Sequence, residues 1–378
     1  MMDTILKLDC LHFPGSRPCA FNKTEGITCP GCVHYTPKGF RILIVKLDAV
    51  GDVLRTTSLL PGLREKYPDA EIVWVTRARA RDLFLNNGFV SEVWTVENDA
   101  LARLGVERFD LVINPDADKL TSALAAAADC NARLGMTLDE RGCVLPVNAE
   151  AIEWLQMGAF DELKKKNTKT YQQILYEMCG MAYARQPIVL EATRAEREWA
   201  GRFLSTAGVK EGESVIGLNL GGGERWKRKR WTEEHLLTFA GRVLSLSGFR
   251  LLLIGGPFER ELIGRMLSKL PPGVISSGHD RTLRELAALV GQCASIITGD
   301  TLCLHVACAL GVPVVALFGP TSAAEIELYG NGEKIVAGGC HACYLTDCDV
   351  TPNCMETITP EVVMRAMLGR LGIEPHAP

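Results

Sequence analysis

The chain has 378 residues, of which 47% are hydrophobic and 23% are charged, a balance typical of a globular protein with two or three domains. Its formal net charge of −4 at pH 7 argues against nucleic-acid binding through a basic surface. We expect a cytoplasmic protein, because no stretch reaches the roughly 18 uninterrupted apolar residues of a membrane helix and the N-terminus has no basic region followed by a long apolar stretch.

The first 38 residues differ from the rest, since they contain four cysteines among proline, glycine and polar residues and show little periodicity. The spacing C-x8-C-x9-C-x2-C suits a tetrahedral metal site, and zinc and an iron–sulfur cluster both remain open. The alternative is a set of reduced thiols. We predict a Cys-rich extension with a structural metal held by Cys10, Cys19, Cys29 and Cys32.

From Arg41 onward, short apolar runs alternate with helical segments, the first of which extends from Val53 to about Lys66. Continuous apolar strands separated by helices indicate a parallel sheet that is covered on both faces. The predicted strands are RILIVK (41–46), EIVWVT (71–76), EVWTV (92–96) and DLVINP (110–115).

The pattern restarts after a predicted helix at about 170–184, with strands SVIGLNL (214–220), RLLLIGG (250–256), ASIITGD (294–300) and VPVVALFG (312–319). Helices are predicted between them at 232–247, 258–269, 281–291 and 302–310. Two such series predict an α/β protein with two doubly wound Rossmann-like domains facing a cleft. The expected divisions are 1–38 for the extension, 39–186 for the first domain, 187–356 for the second, and 357–378 for a final helix packing back on the cleft.

The segment KLDAVGDVLRTTSLL (46–60) places Asp52 at the start of a helix that follows a buried strand. A carboxylate at this edge of a sheet suits a general base that acts on an acceptor hydroxyl. The alternative is that Asp52 only caps the helix. Asp48 is a second candidate for this base, although we interpret it as a turn residue.

The segment NLGGGERWKRKRW (219–231) follows another strand. Its glycines allow backbone N–H groups to approach a ligand, and its cations suit a diphosphate. The alternative is a solvated basic loop. The glycines are Gly221, Gly222 and Gly223, and the cations are Arg225, Lys227, Arg228, Lys229 and Arg230.

In TGDTLCLHVACALG (298–311) a strand ends at Gly299 and a helix begins at Asp300 and Thr301. The amides of a first helical turn bind anions. His305, one turn later, either contacts the ligand or packs in the core. After the strand RLLLIGG, Glu259 is a candidate to hold ribose hydroxyls.

At these residues the chain resembles glycosyltransferase family 9, the ADP-heptose:lipopolysaccharide heptosyltransferases. ILIVKLDAVGDVLRTTSLLPGLREKYPDAEIVWVT resembles the family's opening segment, KRWTEEH its Lys-x-Trp-Pro segment, and GDTLCLHVACALGVPVVALFGPT its donor-site signature. The resemblance covers roughly residues 41–372. It implies a GT-B fold and an inverting transfer that needs no metal cofactor.

The resemblance also implies roles for individual residues. Asp52 corresponds to the family's proposed base, and Lys229 to the lysine at the donor phosphate or reacting centre. Leu302 stands where the family usually has glycine, and Thr232 where proline is usual. The resemblance implies that Asp300, Thr301 and Leu302 hold the diphosphate and that Glu259 holds the ribose. Together with the residues singled out above, the predicted donor-binding set is Gly221, Gly222, Glu259, Asp300, Thr301, Leu302 and His305.

The implied substrates are ADP-heptose and a lipid-anchored saccharide, the Kdo or heptose of the lipopolysaccharide inner core. Such an acceptor predicts transient contact with the inner face of the inner membrane. Two alternatives remain: another nucleotide-sugar donor or acceptor, as in capsule or protein glycosylation, and a non-enzymatic metal- or redox-sensing protein. The predicted membrane contacts are Arg55, Arg64, Lys66 and the cations of 225–230.

A second group of cysteines precedes the final helix with the spacing C-x2-C-x4-C-x5-C, and forms a second candidate metal site. It consists of Cys340, Cys343, Cys348 and Cys354. The remaining six cysteines lie in apolar surroundings and are predicted to be core residues. They are Cys130, Cys143, Cys179, Cys293, Cys303 and Cys308.

Overall fold

The computed structural model describes residues 5–222, 227–340 and 342–374. Within these ranges the first half of the chain forms a six-stranded sheet of order β3-β2-β1-β4-β5-β6. Its strand pairs are parallel except β5 with β6. The strands are β1 Arg41–Val45, β2 Glu71–Thr76, β3 Glu92–Thr95, β4 Arg108–Asn114, β5 Asp129–Leu138 and β6 Val144–Pro146.

A second six-stranded sheet follows in the described part of the chain, with the order β12-β11-β10-β7-β8-β9 and parallel pairing throughout. The predicted α/β class with two parallel sheets is thereby confirmed. The strands are β7 Ser214–Asn219, β8 Phe249–Ile254, β9 Ile275–Ser276, β10 Ser295–Gly299, β11 Val314–Phe318 and β12 Gly332–Val336.

Helices connect these strands, and within the described residues none is long and apolar enough to cross a membrane. The helices of the first half are α1 Ala20–Glu25, α2 Val50–Thr56, α3 Leu59–Lys66, α4 Ala100–Leu104, α5 Lys119–Ala127, α6 Ala149–Ala159, α7 Asp161–Lys166 and α8 Tyr171–Met178. Those of the second half are α9 Arg194–Thr206, α10 Glu233–Ser245, α11 Arg260–Lys269, α12 Leu283–Val290, α13 Leu302–Ala309 and α14 Pro360–Arg370.

The strands predicted from apolar runs are confirmed, because both faces of each sheet are covered. Strand β2 is buried along its whole length, and β1 is buried at every residue except Arg41. The hairpin of β5 and β6 was not predicted, since most of its residues are partly or fully exposed and it lacks an apolar run. The helix predicted at 170–184 is shorter and ends at Met178.

Local capping defines several helix starts in the second half. The Thr232 side chain accepts a hydrogen bond from the His235 amide and so caps α10. Helix α14 begins as predicted, with Thr359 before Pro360. It packs mainly against α10 and strands β10 to β12. Its expected packing on the cleft stays a prediction.

The two halves share a hydrophobic cluster, because α2 packs against α13. Val53 and Leu54 on α2 and Leu304 and Val306 on α13 are all fully buried in it. This contact brings together two helix starts, each of which follows a central strand of its own sheet.

The six cysteines predicted to be core residues fall into three groups by burial. Cys179, Cys293 and Cys303 are buried as predicted. The prediction for Cys143 is wrong, because the β5–β6 hairpin carries it to the surface. Cys130 and Cys308 are only partly buried.

Candidate active site

A cavity of about 1090 Å³ lies between the two sheets, and the loops that follow their strands line it. Strands β1 and β4 are neighbours in the first sheet, and β7 and β10 are neighbours in the second. In each pair, the chain continues from one strand toward one edge of the sheet and from the other strand toward the opposite edge. Such switch points are where open α/β sheets bind ligands. Asn219 is the last residue of β7, and Lys46, Asp116 and Asp300 follow the other three strands; all four residues line the cavity.

Asp52 lies in the first turn of α2, where its Oδ2 accepts a weak hydrogen bond of 3.4 Å from the Ala49 amide. Its Oδ1 also lies 2.8 Å from an Arg55 guanidinium nitrogen, and the guanidinium group stacks on the Tyr171 ring at 3.8 Å. The carboxylate remains 36% exposed, toward the cavity that it lines. Capping and a role as a base are therefore compatible in this geometry.

The charge around Asp52 keeps it ionised. Partial burial raises the pKa of its carboxyl group, but the nearby positive charges of Arg55 and Lys46 have the larger, opposite effect, and the net direction is downward. A general base must be deprotonated before it accepts a proton, and Asp52 meets this condition at neutral pH.

Other charged residues of this wall were not singled out from the sequence. Lys46 is buried, and its Nζ lies 2.5 Å from the Asp116 carboxylate. Arg77 and Arg79, in the loop after β2, both contact Asp48 and line the cavity. All of these residues lie at or just after the carboxyl ends of strands, so the rule applied to Asp52 would have found them.

On the opposite wall, the Lys229 Nζ lies 2.8 Å from Asp300 Oδ2 and 3.2 Å from the Asp300 carbonyl oxygen. Burial raises the pKa of Asp300, but the positive charges of Lys229 and Arg55 outweigh this effect and hold the pKa well below its usual range. Gly299 permits the contact, because a Cβ there would lie 2.8 Å from the Lys229 carbonyl oxygen.

The start of α13 has no side-chain cap. Thr301 occupies the N-cap position, yet its side chain makes no capping hydrogen bond. Its hydroxyl instead accepts from the Asn219 amide group at 3.0 Å and pairs with Thr298 at 3.1 Å. Leu302, the first residue of α13, lines the cavity.

The glycine-rich loop and the Glu259 loop form the remaining part of this wall. Gly221 and Gly222 line the cavity, whereas Gly223 and Arg225 lie outside the described residues. Glu259 is buried, with one carboxylate oxygen 2.5 Å from Arg230 and the other 2.9 Å from the Gly256 amide. Its predicted role at the ribose stays a prediction.

His305 is buried one turn into α13, with its Nε2 4.0 Å from Asp300. Burial and the positive charge of Arg55 lower the pKa of its imidazole to about 4, so the ring is neutral at physiological pH. It lines a second cavity of about 360 Å³, as do Asp52, Lys229 and Asp300. Because these last three residues line both cavities, they mark the junction between them.

The cations predicted to contact a membrane differ in their exposure and in their contacts. Arg55 is only 11% exposed and lies within the site, so the prediction of a surface role for it is wrong. Arg64 donates hydrogen bonds to the carbonyl oxygens of Pro68 and Ala70, and Lys66 donates one to the carbonyl oxygen of Cys179. Contact with a membrane stays a prediction.

The two predicted metal sites differ in their setting. Cys10, Cys19, Cys29 and Cys32 line one cavity. The second set lies near β11, where a Cβ on Gly319 would approach the Cys354 sulfur to 2.6 Å. Among the residues that the structure describes, no three His, Cys, Asp or Glu side chains are arranged to hold a single ion. Both sites stay predictions.

Comparison with known proteins agrees with this geometry. The sequence profile of glycosyltransferase family 9 (heptosyltransferase) matches residues 100–351, two thirds of the chain. "Lipopolysaccharide heptosyltransferase 2" of Escherichia coli K12 is 30% identical over 319 residues, which cover 75% of this chain and 83% of the relative.

Two solved structures share the fold. The glycosyl transferase family 9 protein of Veillonella parvula has a TM-score of 0.74 at 21% identity, and the match covers 89% of this chain and 98% of that one. E. coli "ADP-heptose lps heptosyltransferase II" has a TM-score of 0.66 at 22% identity, with 88% and 98% covered. The chain belongs to glycosyltransferase family 9, the heptosyltransferase family, and is a glycosyltransferase.

Proposed function

We propose that this enzyme transfers heptose from ADP-heptose to the Kdo or heptose of the lipopolysaccharide inner core, with inversion at the anomeric carbon. We further propose a GT-B arrangement, in which each sheet belongs to one Rossmann-like domain. The observation that carries the proposal is the junction of the two cavities, where Asp52 from the first half meets Lys229 and Asp300 from the second. The E. coli relatives named for this activity support the choice of substrates.

The second half provides the donor side of this proposal. The diphosphate lies against the Lys229 ammonium group and the first amides of α13, including that of Leu302. A backbone N–H donates regardless of its side chain, so leucine in place of glycine preserves the donor. Glu259 binds the ribose through carboxylate lone pairs that remain beside its contacts with Arg230 and Gly256.

The first half provides the acceptor side. Asp52 takes the proton of an acceptor hydroxyl as its oxygen forms the new bond to the anomeric carbon. The sugar–phosphate bond breaks in the same step, and ADP departs with the bonding electrons. Lys229 and the α13 amides stabilise the charge on this leaving group. Arg77 and Arg79 contact the anionic groups of the inner-core acceptor.

The first test is thermal stability of the anaerobically purified protein with ADP, UDP, GDP and dTDP. At a free ligand concentration about 100 times its Kd, binding stabilises the folded state by about 2.7 kcal/mol, an easily measured shift. We expect selective stabilisation by ADP. Selective stabilisation by another nucleotide would contradict the heptose donor and favour a different nucleotide sugar.

The second test is transfer itself, from ADP-heptose to purified Kdo-lipid A and to acceptors that already carry heptose. We expect release of ADP that depends on one of these acceptors, together with a heptosylated product detected by mass spectrometry. If the protein binds ADP but transfers heptose to neither acceptor, the inner-core assignment is contradicted. The assignment of an ADP-linked donor would still stand.

A further inference from the structure

The N-terminal segment, residues 5–38, has no core of its own. Every residue in it is partly or fully exposed, including Ile5, Leu8 and Val33 at 71%, 60% and 83%. Ordering a residue costs about 1–2 kcal/mol of backbone entropy, and burial of apolar surface normally offsets this cost. A segment of this kind requires another source of stability, such as a metal or a covalent cross-link.

The segment nevertheless closes on itself. The Leu11 amide donates to the Thr36 carbonyl oxygen at 2.7 Å, and the Lys38 amide donates to the Asp9 carbonyl oxygen at 2.6 Å. These contacts join the two ends of the segment in a short antiparallel pairing. The chain between them forms a loop of more than twenty residues, which contains α1.

The loop encloses a cavity of about 390 Å³, and all four cysteines of the segment line it. Cys29 and Cys32 form a tight turn, with the Cys32 amide 3.3 Å from the Cys29 carbonyl oxygen. The Cys19 sulfur accepts a hydrogen bond of 3.5 Å from the Asn22 amide. Amide hydrogen bonds to sulfur are a common feature of iron–sulfur sites.

The two histidines of this cavity pack around Phe21. His34 lies 2.9 Å from Glu25 and stacks on the Phe21 ring at 3.9 Å. His12 contacts the same ring edge-on at 5.0 Å. All four thiols of the segment line the cavity, so we take them as the metal ligands.

The placement and surroundings of the four thiols indicate the kind of metal group. A single zinc ion needs its sulfur ligands at about 2.3 Å, yet no three His, Cys, Asp or Glu side chains that the structure describes are placed to hold one ion. An iron–sulfur cluster binds its cysteines through different iron atoms, so its thiols lie farther apart. Apolar side chains such as Phe13 and Ile27 line the cavity around them.

We propose that Cys10, Cys19, Cys29 and Cys32 hold an iron–sulfur cluster that cross-links residues 5–38. The cluster is structural and takes no part in sugar transfer. The segment joins the amino end of β1 at Phe40, which stacks on Tyr67 at 4.5 Å, whereas the active site lies beyond the carboxyl end of the same strand. Five residues of strand separate these ends by about 17 Å.

The test uses the full-length chain, purified without oxygen from cells supplied with iron. Iron, acid-labile sulfide and zinc are measured, together with the visible absorption spectrum. We expect equal amounts of iron and sulfide and a broad absorption near 400 nm, about the range of thiolate-to-iron bands. Stoichiometric zinc without iron would overturn the choice of cluster, and absence of both metals would overturn the site.

Two variants assign the ligands. Cys29→Ser should lose the iron and sulfide, whereas Cys143→Ser, which changes an exposed cysteine outside the segment, should retain both. Retention of the full iron content in Cys29→Ser would contradict the assignment. The thermal shift with ADP, measured on the same samples, shows whether the remainder of Cys29→Ser is folded.

If Cys29→Ser does not fold, the wild-type protein allows a separate test. Its cluster is removed by oxygen and a chelator while absorbance is followed, and limited proteolysis maps cleavage. We expect new cleavage within residues 5–38 and retained binding of ADP. An unchanged cleavage pattern after loss of the cluster would show that it does not cross-link the segment.

Discussion

Gly51 on α2 lies directly against Leu302 on α13, because a Cβ atom placed on Gly51 would be 3.3 Å from the Leu302 Cα and 3.0 Å from the His305 Cδ2. The helix starts of the two halves therefore meet with no space for a side chain between them. This contact places Asp52, the next residue, at the junction of the two cavities.

Gly51→Ala should therefore force α2 and α13 apart. Overpacking of this kind costs about 1–3 kcal/mol in free energy of unfolding, and we also expect a lower kcat/KM because Asp52 moves. Denaturant unfolding and steady-state kinetics measure the two effects. Gly241→Ala in α10 is the matched control, since its Cβ meets nothing within 4 Å, and it should be neutral or stabilising. Equal behaviour of the two variants would argue against the tight contact.

Asp52→Asn removes the proposed base and preserves its size. General base catalysis contributes about 10²–10⁴-fold, so kcat should fall within that range while the Kd for ADP remains close to that of the wild type. Single-turnover transfer and calorimetric titration with ADP separate chemistry from binding. Wild-type turnover in this variant would reject Asp52 as the base.

Lys229→Ala removes the ammonium group that contacts Asp300. We expect kcat/KM for the donor to fall by about 10²–10³-fold, the effect of losing one group that stabilises a developing negative charge. Arg228→Ala is the control from the same loop, because Arg228 donates to the Cys348 carbonyl oxygen and does not line the cavity. Similar losses in both variants would indicate a general effect of the loop's charge.

Asp116→Asn tests the Lys46 pair. Burial lowers the pKa of Lys46, but this effect is outweighed by neighbouring groups that raise the pKa, namely Tyr171, Asp116 and Asp52. The ammonium group is therefore charged at neutral pH. Leaving a buried charge without its partner costs about 3–5 kcal/mol, and chemical denaturation should show a loss near the lower end of that range.

Asp129→Asn is the control for this change, because its ion pair with Arg108 is long, at 3.9 Å, and both side chains are about two thirds exposed. Surface pairs contribute about 0–1 kcal/mol. A loss for Asp116→Asn as small as that for Asp129→Asn would show that the Lys46 charge is balanced by other groups.

His305 predicts a specific dependence of stability on pH. Burial and Arg55 lower the pKa of its imidazole to about 4, whereas an unfolded histidine titrates near about 6.5. As pH falls, His305 therefore binds a proton in the unfolded state before it does so in the folded state. The free energy of unfolding decreases as the pH falls from the unfolded pKa to the folded pKa. From pH 7 to pH 5 the loss should be about 2 kcal/mol.

Denaturant unfolding of the wild type and His305→Gln at pH 7 and pH 5 measures this effect. The variant should show a smaller decrease in free energy of unfolding than the wild type, because its amide does not titrate. Identical decreases in both proteins would assign the pH dependence to other groups.

The sequence by itself determined the elements that depend on local patterns. Strands β1, β2, β7, β8, β10 and β11 are continuous apolar runs. Side chains on both faces of such a strand are apolar, so the strand is stable when helices cover both faces of its sheet. The motifs at the strand ends are sufficient to locate Asp52, Lys229 and the start of α13, because parallel strands end at one edge of a sheet. The β5–β6 hairpin escaped prediction because its largely exposed residues carry no comparable pattern.

Only the tertiary structure decided which groups meet. Arg55 reads as a surface cation, yet it stacks on Tyr171, 116 positions away, and pairs with Asp52. Lys229 reads as one of five cations in a loop, and the packing of the second half brings its ammonium group to Asp300. Hydrophobic patterns specify which face of an element is buried, but the partner across that face depends on the packing of whole helices and sheets. The charges of this site acquire their ion pairs and shifted pKa values from that packing.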